Sequence, residues 1–125
     1  MKIVDKPWGK EYIFAHNDKY AGKLLYVKAG EKLSKQYHKD KQETLYFLKG
    51  LAFVEIGRLN DTTKYKKFDN RYIKDDERVL EIPPRTIHRI EAIKDSVFFE
   101  VSTPELDDVI RLEDSYGRVN KEDKF

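Results

Sequence analysis

Three histidines occur in the 125-residue chain, and their surroundings differ. His16 stands beside Asn17-Asp18, a turn signal, and reads as solvated. His38 ends the run Ser34-Lys35-Gln36-Tyr37-His38, where residues 34, 36 and 38 share one face because side chains along a strand alternate. Gln36 and His38 are then about 7 Å apart at Cα, within reach of one cation. Glu43 opens the apolar run Glu43–Lys49, so a hairpin return can set its carboxylate against the imidazole of His38. His88 follows Pro83-Pro84, whose fixed φ angles suit a strand entry or corner. If Thr86–Ile90 is an inward-facing strand, His88 supplies a fourth donor. Two imidazoles, a carboxylate and an amide oxygen with one or two positions open suit a divalent metal ion such as Zn, Mn, Fe, Ni or Co. Taken singly, a Gln-x-His pair is commonly a surface pair, and a Glu at a strand start is commonly solvated. The metal reading rests on the four occurring together.

Strands must position these groups. Short runs rich in β-branched and aromatic residues cover Lys10–Phe14, Lys23–Lys28, Lys32–His38, Glu43–Lys49, Leu51–Ile56, Arg78–Ile82, Thr86–Ala92 and Val97–Ser102. Turn signals separate them at Asn17-Asp18, Ala29-Gly30, Lys49-Gly50, Gly57, Pro83-Pro84 and Lys94-Asp95. No segment before Pro104 sustains a helical stripe, so the chain predicts an all-β sandwich or barrel. Arg58–Glu77 is a polar stretch that reads equally as a long loop or as an extra hairpin inserted between two barrel strands. Beyond Pro104 one helical turn is expected near Leu106–Ile110, with a frayed end over Val119–Phe125.

The length predicts a single domain over 1–125. Hydrophobic residues are 39% and charged residues 38%, which calls for a compact core under a heavily charged surface. Lys plus Arg number 25 against 23 Asp plus Glu, and the signs are interspersed. No nucleic-acid partner is expected from that balance, although a local phosphate pocket remains compatible with it. The absence of Cys excludes disulfides, thiolate metal sites and a Cys nucleophile. No apolar run of about 18 residues occurs, and the N-terminal residues lack an apolar signal segment. A cytoplasmic protein without a membrane partner is therefore expected.

At the candidate ligands the chain resembles the cupin superfamily. Its first motif runs Gly, five residues, His-x-His, three or four residues, Glu, six residues, Gly. Here Gly30 is followed by five residues, Gln36-x-His38, four residues, Glu43, six residues and Gly50. The second motif, Pro-x-Gly-x-x-His, is matched at Pro83 and His88, with Arg85 where Gly is usual and Glu91 where Asn is frequent. A non-Gly residue at position 85 must avoid positive φ or bear its cost. A narrower resemblance, to the type II mannose-6-phosphate isomerase cupin, is carried by Lys6-Pro7-Trp8-Gly9, Leu33-Ser34-Lys35-Gln36-Tyr37-His38, Ile82-Pro83-Pro84 and His88-Arg89-Ile90-Glu91, and by Asp107–Arg118. It covers about residues 5–118, and Gln in place of the first His is normal for that branch. That module often forms the C-terminal part of bifunctional mannose-1-phosphate guanylyltransferases. Nothing here resembles their Gly-rich nucleotide loop, so a free-standing domain is expected.

The resemblance implies a cupin-type double-stranded β-helix (jelly-roll) barrel with a short helical tail, a divalent metal ion at Gln36, His38, Glu43 and His88, and a homodimer. It implies an isomerase of sugar phosphates or of another activated sugar, a reaction needing an electrophile, a proton carrier and a phosphate anchor. Glu100 is the candidate carrier if Phe98, Glu100 and Ser102 face the lumen; with Phe99 and Val101 inward it is a solvated strand residue. Arg111, Arg118 and Arg89 are candidate anchors, Arg111 first, because Arg89 points away from the lumen if its neighbour His88 points in. A surface ion pair with Asp108 or Glu113 is the plainer reading of Arg111. Lys64, Lys66 and Lys67 read as a solvated loop, and Trp8 and Tyr12 as packing over a barrel end or against a second subunit. Two other readings stand beside the isomerase. One is a non-catalytic cupin binding a sugar or nucleotide sugar; the other is an Fe(II) dioxygenase, since two His and a carboxylate also bind iron.

Overall fold

The computed structural model describes residues 1–58 and 63–119. Its strands are β1 (Lys2–Lys6), β2 (Gly9–His16), β3 (Ala21–Val27), β4 (Lys35–Tyr37), β5 (Glu43–Gly57), β6 (Lys64–Asp69), β7 (Val79–Ile82), β8 (Ile87–Ser102) and β9 (Ile110–Glu113), with one 3-10 turn at Asp75–Arg78. All pairings are antiparallel. One path runs β1-β2-β3-β8-β4-β9, and β5 pairs with β8, β7 and β6. This is the expected all-β barrel. Among the described residues no helix is long and apolar enough to cross a membrane.

Two strands expected on either side of Gly50 are one strand, β5, and the two expected around Lys94-Asp95 are likewise one, β8. They pair from Glu43↔Ser102 to Gly57↔Ile87, with register shifts between Phe47 and Ala52. The shifts mark a shared bend. Gly50 has φ +117°, and a Cβ there would lie 2.4 Å from Ser96 Oγ, so only glycine fits. Ser96 Oγ fixes the bend by donating to the Lys94 carbonyl at 2.8 Å and accepting from Leu51 N–H at 3.2 Å.

Inward-facing residues of both sheet halves form the core, with Phe47, Phe68 and Phe98 at its centre and ring centroids 5.2 to 5.6 Å apart. Trp8 is buried in the same cluster. Within 58–77, β6 returns along Leu51–Ile56 of β5 and contributes Phe68 to the core. Residues 59–62 lie outside the described residues, as does the expected frayed end beyond Val119.

The helical turn expected at 106–110 is not formed. Leu106 and Asp107 make a turn, and the chain then enters β9. A strand wins here because β4 offers backbone partners and because Ile110 buries against Tyr37 and Ile87, whereas one isolated helical turn nucleates poorly. β1, which the pattern also missed, is a short edge strand on β2.

Candidate functional site

β4, β5, β8 and β9 deliver the candidate residues to one cavity of about 80 Å³. His38 leaves the end of β4, Glu43 begins β5 and His88 lies at the start of β8. Their ligand atoms all lie within 4.8 Å of one another, and all three residues are buried. Glu43 Oε1 is 3.5 Å from His38 Nε2 and 3.0 Å from His88 Nε2.

The other ring nitrogen of each histidine is already committed. His38 Nδ1 faces the Asp108 carbonyl at 2.5 Å, and His88 Nδ1 faces the Thr86 carbonyl at 2.9 Å. A carbonyl only accepts, so each Nδ1 carries the proton and each Nε2 is left as a lone pair aimed at Glu43, itself an acceptor. Satisfying these contacts with protons alone requires either two buried imidazolium rings, whose centroids are 5.1 Å apart, or a protonated Glu43 beside one buried imidazolium. One cation between the Nε2 atoms and Oε1 satisfies all three with both rings neutral and the carboxylate ionised. Backbone carbonyls holding the distal N–H are also the usual support of metal-binding imidazoles. The residues present therefore fit a divalent ion. In its absence burial raises the Glu43 carboxyl, but the hydrogen bonds of His38 and His88 more than offset this and hold it well below the usual range. Burial lowers His88, while Glu43 outweighs burial and raises it. Gln36 sits directly opposite His88 in the β4–β8 pairing and lines the same cavity.

Glu100 brings a further carboxylate to the cavity. Phe99 and Val101 are 37% and 56% exposed and Glu100 only 6%, so the register that turns Phe98, Glu100 and Ser102 inward is the one adopted. Burial, reinforced by the charge of Glu43, pushes the Glu100 carboxyl up to about 7 against the opposing pull of Lys41 and Lys23. Lys41 Nζ lies 3.1 Å from Glu100 and 3.3 Å from Glu43, and Lys23 bridges Glu11 at 3.0 Å and Glu100 at 3.9 Å.

Arg111 and Arg118 line the same cavity. Arg111 stands opposite Gln36 in the β4–β9 pairing, so His88, Gln36 and Arg111 form one cross-strand row. Burial, then the nearby charge of Arg118, lowers the Arg111 guanidinium against the opposing pull of Asp114 and Glu11. Arg118 makes a bidentate pair with Asp114 at 2.9 and 3.0 Å. Arg89 is not brought to the cavity. Its guanidinium turns to the other face of β8 and donates to the carbonyls of Leu33 at 2.9 Å and Glu113 at 3.2 Å, tying β8 to the tail.

Sequence reasoning passed over Lys23, Lys41, Glu11 and Asp108. Lys41 lies in a charged run that reads as solvated, and only long-range convergence buries it. Asp108 accepts from the backbone N–H of Lys39, Asp40 and Lys41 at 3.0, 2.8 and 2.9 Å, while its own carbonyl holds His38. Arg85 takes φ +63°, bearing the cost expected of a non-Gly residue there, and its N–H donates to the His38 carbonyl at 2.6 Å.

Comparison with known proteins agrees with this architecture. The capsular polysaccharide assembling protein CapF of Staphylococcus aureus superposes with TM-score 0.75 at 19% identity, over 90% of this chain and 31% of that one. Oxalate decarboxylase of Bacillus subtilis, described with Mn(II) centres, superposes with TM-score 0.73 at 18% identity, over 90% and 30%. At these identities the likeness establishes the fold alone. The mannose-1-phosphate guanylyltransferase of Escherichia coli is 32% identical over 117 residues, 93% of this chain and 23% of that protein. The chain thus spans under a quarter of that curated relative. The family model described as "Mannose-6-phosphate isomerase C-terminal" matches residues 1–114, nearly the whole of the barrel described above. The chain belongs to the mannose-6-phosphate isomerase C-terminal family.

Proposed function

We propose that the chain is a metal-dependent aldose–ketose isomerase of hexose 6-phosphates, interconverting mannose 6-phosphate and fructose 6-phosphate. The observation that supports this reading is that one cavity is lined both by the His38–Glu43–His88 cluster with Glu100 and by Arg111 with Arg118. Adjacent strands are about 4.8 Å apart, so the two-strand step from His88 to Arg111 covers roughly 10 Å between Cα atoms, a span suited to a sugar carrying a terminal phosphate.

His38, Glu43 and His88, with Gln36 beside them, would hold the divalent ion, which supplies Lewis-acid polarisation of neighbouring sugar oxygens. Glu100 takes the proton from C2 of the aldose and returns it to C1, while the hydroxyl proton passes from O2 to O1. Its raised carboxyl suits a group that must both accept and release a proton near neutrality. Lys41 and Lys23 flank Glu100 and stabilise the anionic form. Arg111 and Arg118 bind the phosphate dianion.

The test is conversion of mannose 6-phosphate by purified protein before chelation, after chelation and after return of single divalent metals. Conversion that chelation abolishes and one of the metals restores supports the reading, and no conversion with any metal rejects it. An Fe(II) dioxygenase reading is favoured by the two-His, one-carboxylate set, and would instead show oxygen uptake with iron. The protein would act in the cytoplasm as a homodimer. Ile3, Tyr12, Leu24, Phe99, Tyr46 and Val79 form an apolar cross-strand row on the outer face of six paired strands, the kind of patch that marks an association surface. Light scattering checks it, a monomeric mass at working concentration counting against the pairing.

A further inference from the structure

Three buried side-chain atoms among the described residues have no hydrogen-bond partner: Ser34 Oγ, Glu43 Oε2 and Glu100 Oε2. All three residues line the same cavity. The two carboxylate oxygens have an electrostatic account, because both face Lys41 Nζ. Ser34 has none. It is 1% exposed, so water outside the cavity does not reach it, and a buried hydroxyl without a partner is destabilising.

The backbone gives Ser34 no freedom to turn away. Leu33 is anchored on both sides, its N–H donating to Ile90 and its carbonyl accepting from Arg89, each at 2.9 Å. Lys35 begins β4, and Leu33 is itself buried. Alternation carries Ser34 onto the face that Gln36 and His38 present to the cavity. A fixed, neutral donor and acceptor is thus held in a cavity whose charged groups already answer a metal ion and an anion.

We infer that Ser34 Oγ is a ligand-binding group that takes a hydroxyl of the sugar. This rests on the sugar-phosphate reading of the cavity and adds to it a polyhydroxylated ligand recognised through a hydroxyl as well as through its phosphate. The phosphate is served by Arg111 and Arg118, which leaves the hydroxyl of Ser34 for the uncharged part of the molecule. A partnerless hydroxyl in the free protein has a further consequence: its removal costs the fold nothing and costs the complex a hydrogen bond.

The experiment uses calorimetric titration of metal-loaded protein, parent and Ser34→Ala, with mannose 6-phosphate, the 2-, 3- and 4-deoxy hexose 6-phosphates, and inorganic phosphate. Sugar-free melting is measured in parallel. Ser34→Ala is expected to bind mannose 6-phosphate about tenfold more weakly, the loss of one hydrogen bond, while inorganic phosphate binding and the melting temperature are unchanged or improved. The penalty vanishes for the deoxy sugar lacking the contacted hydroxyl, and Ser34→Thr keeps more of the affinity than Ala does. Equal affinity of parent and Ala overturns the inference. So does an equal loss for inorganic phosphate, or a fall of several degrees in sugar-free melting. A parent that binds sugar phosphate without isomerising it refutes the reaction proposed above and leaves Ser34 fully tested. A parent that binds none of the sugars overturns both.

Discussion

Asp108→Ala is the most informative single perturbation of the site, because one carboxylate organises a loop that presents three functional groups. The side chain accepts from three successive backbone N–H groups, those of Lys39, Asp40 and Lys41. That loop lies between His38 and Glu43 and carries Lys41 into the cavity. Hydrogen bonds to a carboxylate are each worth about 1 kcal/mol at partly exposed sites, so truncation should destabilise the protein by roughly 2–3 kcal/mol. In a domain of this size that is a drop of about 10 °C in Tm. The second effect is on the metal. The Asp108 main-chain carbonyl that orients His38 is kept by Ala, so metal binding weakens only through displacement of the unlatched loop, by about 10-fold, the low end for lost support of a ligand. Competition with a chromophoric chelator gives the affinity, and differential scanning calorimetry gives the stability. Metal affinity equal to that of the parent, alongside the expected fall in Tm, would refute the idea that this latch positions His38. An unchanged Tm would show that the three N–H groups find other partners.

The remaining expectations concern the ligands, the proton carrier and the tail. His88→Ala should abolish stoichiometric metal binding in elemental analysis after desalting, and full retention would show that the ion is held elsewhere. Glu100→Gln should keep the metal and lower kcat by about 100-fold or more, with KM little changed; a kcat within threefold of the parent would remove Glu100 from the chemistry. Asp114 gives an acid-dependent stability. Burial raises its carboxyl, but the side chain and backbone N–H of Arg118 outweigh burial and hold it below the ordinary 3.8. The contribution of the pair, about 1–2 kcal/mol, is therefore complete above pH 3.8 and lost as pH falls through the lowered folded value. Urea unfolding of the parent and Asp114→Asn between pH 7 and pH 3 should show the two curves converging toward acid, and a constant gap would contradict this.

The parts of the molecule legible in the sequence were those fixed by local alternation and by motif spacing. Glu43–Lys49 and Val97–Ser102 read as strands because aromatic and aliphatic residues crowd them, and Leu45, Phe47 and Phe98 carry one face of each into the core. Pairing between strands decided what alternation left open. Phe98 and Phe99 are both apolar, so either register of β8 satisfied the pattern, and the turn was settled by the Leu25 and Phe47 partners of Phe98. Gly50 read as an end to its strand because positive φ usually means a turn; in β5 it means a bend. Leu106, Val109 and Ile110 have helical spacing, yet the edge of β4 imposed a strand on the last of them. Lys41 was invisible because nothing in a run of charges says which one is buried.

The bend at Gly50 and Ser96 carries a consequence for assembly of the native state. Glu43 and Ile56, the partner of His88, lie at the two ends of β5, roughly 43 Å apart if that strand were straight. Yet Glu43 touches His88. The three candidate ligands meet only once the long β5–β8 ribbon has rolled upon itself, so these contacts join chain segments distant in sequence and belong among the last to form. An ion seated there binds the rolled ribbon and not its unrolled precursors. It would therefore slow unfolding more than it hastens folding, and the lifetime of the closed barrel should track the concentration of free metal.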